Sequence, residues 1–209
     1  QQLARNWDRV EALLPQLDKR RVYDPLVLHQ LRRTATAELL KRKALDVPRL
    51  REAWQRLPDE LRRDDLVART GAECFINLGE RNEARRIIEA SLDTQWDSQL
   101  ALLYAETSGD ETVAQIQKAE AWLPAHSRDA TLLLTLGRLC THAELWGKAR
   151  SYFDASIAVE PSHSAHLALA DLDRREDRED AALGHERQAL ELALEQIGSV
   201  TGGRRRRIL

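Results

Sequence analysis

The spacing of small and apolar residues limits the possible folds of this chain more than any other feature. A pattern typical of the start of the second helix in a helix pair recurs along the chain. In it, a small or apolar anchor residue is followed by an apolar residue four, seven or eight positions later. Its anchor positions are Val10, Leu50, Ala84, Ala114, Ala149 and Ala182. The successive intervals are 40, 34, 30, 35 and 33 residues. Five intervals near 34 residues in a row indicate stacked two-helix repeats, each burying its apolar face against its neighbours.

The composition agrees with helix throughout. Aromatic residues make up 5% of the chain and there are nine Gly and six Pro, so few residues favour strands or turns. We predict an all-α fold, a right-handed superhelical, tetratricopeptide-like solenoid of antiparallel helix pairs. The predicted helices span residues 2–19, 24–44, 46–57, 64–78, 80–93, 96–107, 111–124, 129–142, 145–158, 163–176 and 179–197.

The repeats predict one domain over residues 1–197, followed by a flexible basic tail at residues 198–209. The sequence NWDRV at residues 6–10 resembles the start of a second helix, so we expect an incomplete first repeat and further chain before Gln1. The absence of Met agrees with this expectation. The tail carries four arginines at residues 204–207, which suit either solvation or attraction to anionic lipid.

Small residues mark turns and close helix contacts. Gly79 and Gly109 each precede an anchor by five residues, and both are predicted to end a helix in the left-handed conformation. Gly137 and Ala149 are expected where two helices cross closely, with Phe153 filling the space beside them. The pattern therefore predicts an antiparallel helix pair over residues 130–158.

Charge and cysteine content exclude several classes of protein. The net charge is −2, but residues 1–63 hold 15 Lys+Arg against 9 Asp+Glu, while residues 64–203 hold 13 against 25. This acidic stretch argues against nucleic acid as a partner, which needs a connected basic surface. Cys74 and Cys140 lie in apolar patterns without zinc spacing and are predicted to be buried free thiols. No apolar run approaches the roughly 18 residues of a membrane span.

Catalytic motifs are missing as well. The sequence has no Ser-His-Asp arrangement, HExxH motif, Gly-rich phosphate loop or CxxC pair. Its acidic pairs, Asp64/Asp65 and Glu176/Asp177, lie where helices start or turn and are interpreted as caps and solvated charges. We therefore expect no enzymatic activity.

One stretch is more specific than the repeat. LWGKARSYFDASI at residues 145–157, preceded by LLLTLGRLC at residues 132–140, closely resembles the HemY-type tetratricopeptide proteins of proteobacteria. WQRLP at 54–58, QWD at 95–97 and KAEAWL at 118–123 look like the same family. Ser127 departs from it, since a Pro often closes that repeat.

That resemblance implies a location and a pathway. The intact protein would carry two membrane-spanning helices before Gln1 and lie in the inner membrane, in association with late haem (protohaem) biosynthesis. The free cysteines and the basic tail favour the cytoplasmic face for this domain. The unrelated flavin-dependent porphyrinogen oxidase of the same name is not indicated, because no strand–GxGxxG–helix fingerprint is present.

The repeat register also predicts a binding surface. First helices line the concave face of such solenoids. The predicted groove consists of Arg69, Glu73 and Asn77 in one repeat, Trp96, Gln99 and Leu103 in the next, Arg138 and His142 in a third, and Leu167, Asp171 and Arg174 in the last. Its mixture of arginine, acid and one tryptophan suits a segment of a partner protein, such as a late haem-pathway enzyme. Arg138 and His142 also suit capping of a helix C-terminus.

Two alternatives to partner docking remain. The domain could bind or deliver haem or a porphyrin, with His142, or else His126, His163 or His166, contacting the iron. It could equally be a generic assembly scaffold. The i, i+3 pair His163 and His166 also suits a plain surface or turn role. The tryptophans Trp7, Trp54, Trp122 and Trp146 are predicted to pack between helices.

Overall fold

A computed structural model describes residues 24–205, with side chains described through residue 198. This part of the chain is all-α. Its helices are α1 (Pro25–Lys43), α2 (Val47–Gln55), α3 (Asp59–Arg62), α4 (Asp65–Asn77), α5 (Arg81–Leu92), α6 (Ser98–Tyr104), α7 (Thr112–His126), α8 (Ala130–His142), α9 (Trp146–Val159), α10 (His163–Arg175) and α11 (Glu179–Arg205), with a 3₁₀ turn at Ala105–Thr107. The predicted all-α fold is confirmed, while the predicted helix at residues 2–19 and Trp7 lie outside the described residues.

Side-chain caps set the starts of six of these helices. Aspartate or serine oxygens accept hydrogen bonds from backbone N–H groups that the helix itself leaves without partners. The capping residues are Asp24, Asp46, Asp64, Asp97, Asp129 and Ser162. Pro25 and Pro48 lie in first turns, where the missing N–H of proline costs no helical hydrogen bond. The predicted helix ended at residue 124, but α7 continues through Pro124 to His126.

The chain divides into two compact units, residues 1–107 and 108–209. In the described part of the first unit, α1 packs against α2 and α4, and α4 packs against α5 and α6. Phe75, Ile88 and Tyr104 lie in its core. The Tyr104 hydroxyl donates a hydrogen bond to Glu89 at 2.5 Å, which ties α6 to α5. The single repeat domain over residues 1–197 stays a prediction.

The second unit contains two clear helix pairs, α8–α9 and α10–α11, with α7 packed on α8. A Cβ at Gly137 would lie less than 3.0 Å from three ring atoms of Phe153, so α8 and α9 cross where only a glycine fits. Ser156 donates a hydrogen bond to the Ala130 carbonyl at 2.7 Å. Tyr152 donates another to Glu120 at 2.6 Å, joining α9 to α7. The helix crossing predicted from Gly137 and Phe153 is confirmed.

Helix ends show which turn predictions were right. Gly79 has a φ of 81° and the next N–H, on Glu80, bonds to the Phe75 carbonyl at 2.9 Å. Gly109 was expected to adopt the same left-handed conformation, but its φ is not positive. Glu144 and Asp177, each with a φ of 58°, hold the left-handed position that ends α8 and α10. The same backbone turn therefore recurs without a glycine.

Two further boundaries differ from the sequence prediction. The short helix α3 was not predicted. Helix α11 runs to Arg205, whereas the predicted helix ended at residue 197. The anchor assigned to Ala114 is exposed, and the neighbouring Gln115, 1% exposed, takes the buried place. Gln115 was missed because a search for small or apolar residues passes over a polar side chain. The anchors Leu50, Ala84, Ala149 and Ala182 are buried as predicted.

Candidate interaction site

The clearest part of the predicted groove lies on α4. Arg69, Glu73 and Asn77 are spaced by four residues, so their side chains fall on one face of the helix. Arg69 and Glu73 are half-buried and Asn77 is exposed. Ala68 and Phe75, on other faces of the same helix, are fully buried. The structure therefore brings these three predicted residues into one accessible polar row.

The next predicted row is not a single helix face. Helix α6 begins at Ser98, capped by Asp97, whose carboxylate accepts hydrogen bonds from the backbone N–H groups of Gln99 and Leu100. Trp96 precedes the cap and therefore does not share a helical face with Gln99. The predicted helix started at residue 96, two residues before the observed start at Ser98. Gln99 is exposed, and the place of Trp96 and Gln99 in a groove stays a prediction.

In the second unit the predicted residues lie near the ends of first helices. Arg138 is half-buried, and His142 is the exposed last residue of α8. Arg174 lies near the end of α10, on the same side as the exposed residues Leu167 and Asp171. Groove lining and helix capping both remain compatible with this position of His142.

Arg174 belongs to a group of charges. Its guanidinium donates to Glu186, lies 3.9 Å from Glu179 and lies 4.0 Å from Asp171. The hydrogen bond to Glu186 raises the pKa of Arg174 above its ordinary value. A partner that uses Arg174 must therefore compete with carboxylates of the protein itself.

The predicted groove residues are shared between the two units. The first unit holds six of them, namely Arg69, Glu73, Asn77, Trp96, Gln99 and Leu103, and the second unit holds the other five. A single groove through all eleven residues stays a prediction.

A histidine pair in the second unit was missed. His166, 6% exposed on α10, lies with its Nδ1 atom 3.0 Å from Nδ1 of His185 on α11. Burial, together with the adjacent His185, lowers the pKa of His166. The prediction of a surface or turn role is therefore wrong for His166. His163 is half-buried and its Nε2 atom contacts the Ser164 hydroxyl at 3.2 Å.

Next to this pair lies a buried carboxylate. Asp173 is 1% exposed, and its Oδ1 atom accepts a hydrogen bond from Arg150 at 2.6 Å. Arg178 is 3.4 Å from the same oxygen. The other oxygen, Oδ2, lies 3.8 Å from Nε2 of His185 and has no hydrogen-bond partner among the described residues. This cluster joins α9, α10 and α11. It could not be predicted from the sequence pattern of a single helix, because its members lie on three helices.

The cysteines and tryptophans behave mostly as expected. Cys74 and Cys140 are free and buried, and burial raises the pKa of each thiol to about 11. Trp54 packs on Gly71 and Trp122 is also buried, whereas Trp146 is half-buried. In the described part of the chain, no helix combines the length and the apolar character that crossing a membrane requires.

His142 was the first candidate for a haem contact. It is exposed, and it lines neither of two clefts in the described part of the chain. A porphyrin needs apolar walls as well as an axial ligand. Haem binding at His142 stays a prediction.

Comparisons with known proteins bear on the fold. No known protein family matches the chain, and no curated protein matches it either. Among solved structures, the thermophilic TPR protein TTC0263 of Thermus thermophilus matches with a TM-score of 0.59 and 18% identity, over 97% of this chain and 100% of that one.

Two structures of MamA are similar over a shorter stretch. The Desulfovibrio magneticus RS-1 protein, from its residue 41 to the end, has a TM-score of 0.51 and 19% identity, over 77% of this chain and 97% of that one. MamA AMB-1 has a TM-score of 0.51 and 18% identity, over 78% and 98%. At these identities the likeness concerns the fold alone, and it shows that this chain has a tetratricopeptide-type fold.

Proposed function

We propose that this chain is a non-enzymatic scaffold that docks segments of partner proteins on its first helices. The observation that supports this most is the row Arg69, Glu73 and Asn77 on α4. One face of α4 is accessible and polar while its other faces are packed into the core. Repeat proteins with such faces offer extended surfaces to their partners.

The row on α10 gives a second surface of the same kind. Leu167, Asp171 and Arg174 are exposed on one side of that helix, and Leu167 alone is 47% exposed. A partner helix or extended segment that carries both charges and an apolar side chain fits this composition. Nucleic acid fits poorly because acids alternate with the arginines.

The pathway proposal rests on the sequence. The LWGKARSYFDASI stretch, together with WQRLP, QWD and KAEAWL, resembles HemY-type proteins. This resemblance supports late haem-pathway enzymes as the docked partners. By the same resemblance, the intact protein would hold these partners beside the inner membrane, with this domain on the cytoplasmic face.

The test is crosslinking in native membranes followed by identification of the captured neighbours. Arg138→Glu combined with His142→Ala changes the accessible end of α8 without touching its buried residues, and should lose partners that the parent captures. Arg187→Glu is the matched control, because Arg187 is exposed on the second helix α11. Retention of every partner by the double variant would refute docking at the end of α8.

The alternative proposal is that the domain binds haem or a porphyrin itself. A titration with micromolar haem, followed in the Soret band, separates the two proposals. A shift of the band that His142→Ala abolishes would favour the alternative. A band identical to that of free haem would exclude it.

A further inference from the structure

A cleft of about 500 Å³ opens in the second unit where α9, α10 and α11 meet. It is lined by the second helices α9 and α11, by the loop residue Pro161 and by His166 of α10, and none of its lining residues belongs to the predicted groove. Ile157, Pro161 and Leu192 provide apolar walls. Carboxylates also line it, on Asp154, Glu191 and Glu195. The cleft therefore combines an apolar surface with three hydrogen-bond acceptors and negative charge.

The histidine pair forms another part of the wall. His166 and His185 both line the cleft, and His166 is more than nine-tenths buried. Its Nδ1 atom is paired with Nδ1 of His185, so Nε2 is the ring nitrogen without a hydrogen-bond partner among the described residues. A ring nitrogen of this kind can form a hydrogen bond with a ligand in the cleft.

The carboxylates determine which ligand fits. Asp154, Glu191 and Glu195 accept hydrogen bonds and carry negative charge, so the cleft calls for a cationic ligand rich in donors.

We propose that this cleft binds an arginine side chain from a basic segment of a partner protein. A guanidinium offers five N–H donors in a plane and is always charged, which suits a cleft lined by three carboxylates. Its aliphatic stem would pack against Ile157 and Leu192. Free arginine suits the site less well, because its own carboxylate would meet Asp154, Glu191 and Glu195.

Peptide titration of the full chain tests the proposal. The probe is the peptide acetyl-Leu-Arg-Leu-amide, and the signals are the ring C–H resonances of His166 and His185 in NMR spectra. The peptide should shift both rings in a saturable manner. The same peptide with citrulline, which keeps the shape but lacks the charge, should bind at least about tenfold more weakly, because charged donors make the stronger hydrogen bonds.

Variants of exposed acids locate the interaction without endangering the fold. Glu191→Gln with Glu195→Gln should weaken binding of the arginine peptide about tenfold, since it removes two exposed charges from the cleft wall. Asp180→Asn is the matched control, because it lies on the same helix about three turns away, and it should change the affinity less than twofold.

Three results would overturn the proposal. Equal affinity for the citrulline peptide would show that charge plays no part. An unchanged affinity in the double variant would place the peptide elsewhere. Ring shifts that grow with protein concentration alone, and vanish when the arginines at residues 204–207 become glutamine, would assign the cleft to a second copy of this chain. The Arg138→Glu, His142→Ala variant tests docking on α8 and changes none of the cleft residues. The docking proposal and the cleft proposal can therefore fail independently of each other.

Discussion

Replacing Gly137 by alanine should destabilise the second unit, although the same change usually favours a helix. In a helix interior Gly→Ala contributes about 1 kcal/mol of stability. Here the new Cβ would lie less than 3.0 Å from three ring atoms of Phe153, whose side chain is 1% exposed. Overpacking of this kind costs about 1–3 kcal/mol. Taking the upper end, because three atoms clash, the net loss is about 2 kcal/mol.

Gly184 provides the matched control. It lies inside α11 and an added Cβ meets nothing within 4 Å, so Gly184→Ala should raise stability by up to about 1 kcal/mol. The two identical substitutions should thus differ by about 3 kcal/mol in the free energy of unfolding, measured by urea denaturation followed by circular dichroism. In a Phe153→Leu background, Gly137→Ala should lose most of its cost, because the clashing ring is gone. A Gly137→Ala variant as stable as Gly184→Ala would show that α8 and α9 do not cross this closely.

Three further predictions concern buried polar groups. Ser156→Ala removes the 2.7 Å bond to the Ala130 carbonyl and should cost about 1 kcal/mol in urea denaturation, with Ser151→Ala, an exposed serine on the same helix, as a near-neutral control. The pKa of His166 is lowered from 6.5 by burial, so the unfolded chain binds the proton more readily. The free energy of unfolding should therefore fall as pH drops below about 6.5. It should fall less steeply in the His166→Gln variant than in the parent protein. An equal slope in the two proteins would contradict this prediction. Burial raises the pKa of both Cys74 and Cys140 to about 11, so neither thiol should react with a disulfide reagent at pH 8 until the protein is unfolded.

Periodicity predicted the parts of the fold that each helix determines by itself. Leu50, Ala84 and Ala149 are buried because a helix has one apolar face, and that face is visible in a single stretch of sequence. The contact between Gly137 and Phe153 was also visible, since small and aromatic residues at facing positions are typical of close helix crossings. Gln115 was missed because its place in the core depends on the neighbouring helices rather than on its own polarity.

Turn chemistry was predicted less well. Gly79 adopts the left-handed conformation that glycine favours, but Glu144 and Asp177 adopt it too, with a φ of 58° each. The N–H following each of them bonds to the carbonyl five residues before, at 2.9 Å for Leu145 and 2.8 Å for Arg178. These bonds offset the cost of a left-handed non-glycine residue. A search for glycine alone therefore finds one of three equivalent turns.

The candidate binding sites also differ in whether one helix or several helices determine them. Arg69, Glu73 and Asn77 were predictable because one helix and one register decide which face they share. His166 and His185 are 19 residues apart on different helices, and their contact depends on how α11 lies against α10. Asp173 adds a third element, since Arg150 reaches it from α9. In a repeat fold the period ensures that helices pair in the same way, so chemistry that differs from one repeat to the next arises at the joints between pairs. The cleft between α9, α10 and α11 lies at such a joint, where three helices contribute polar side chains that no single helix pattern contains.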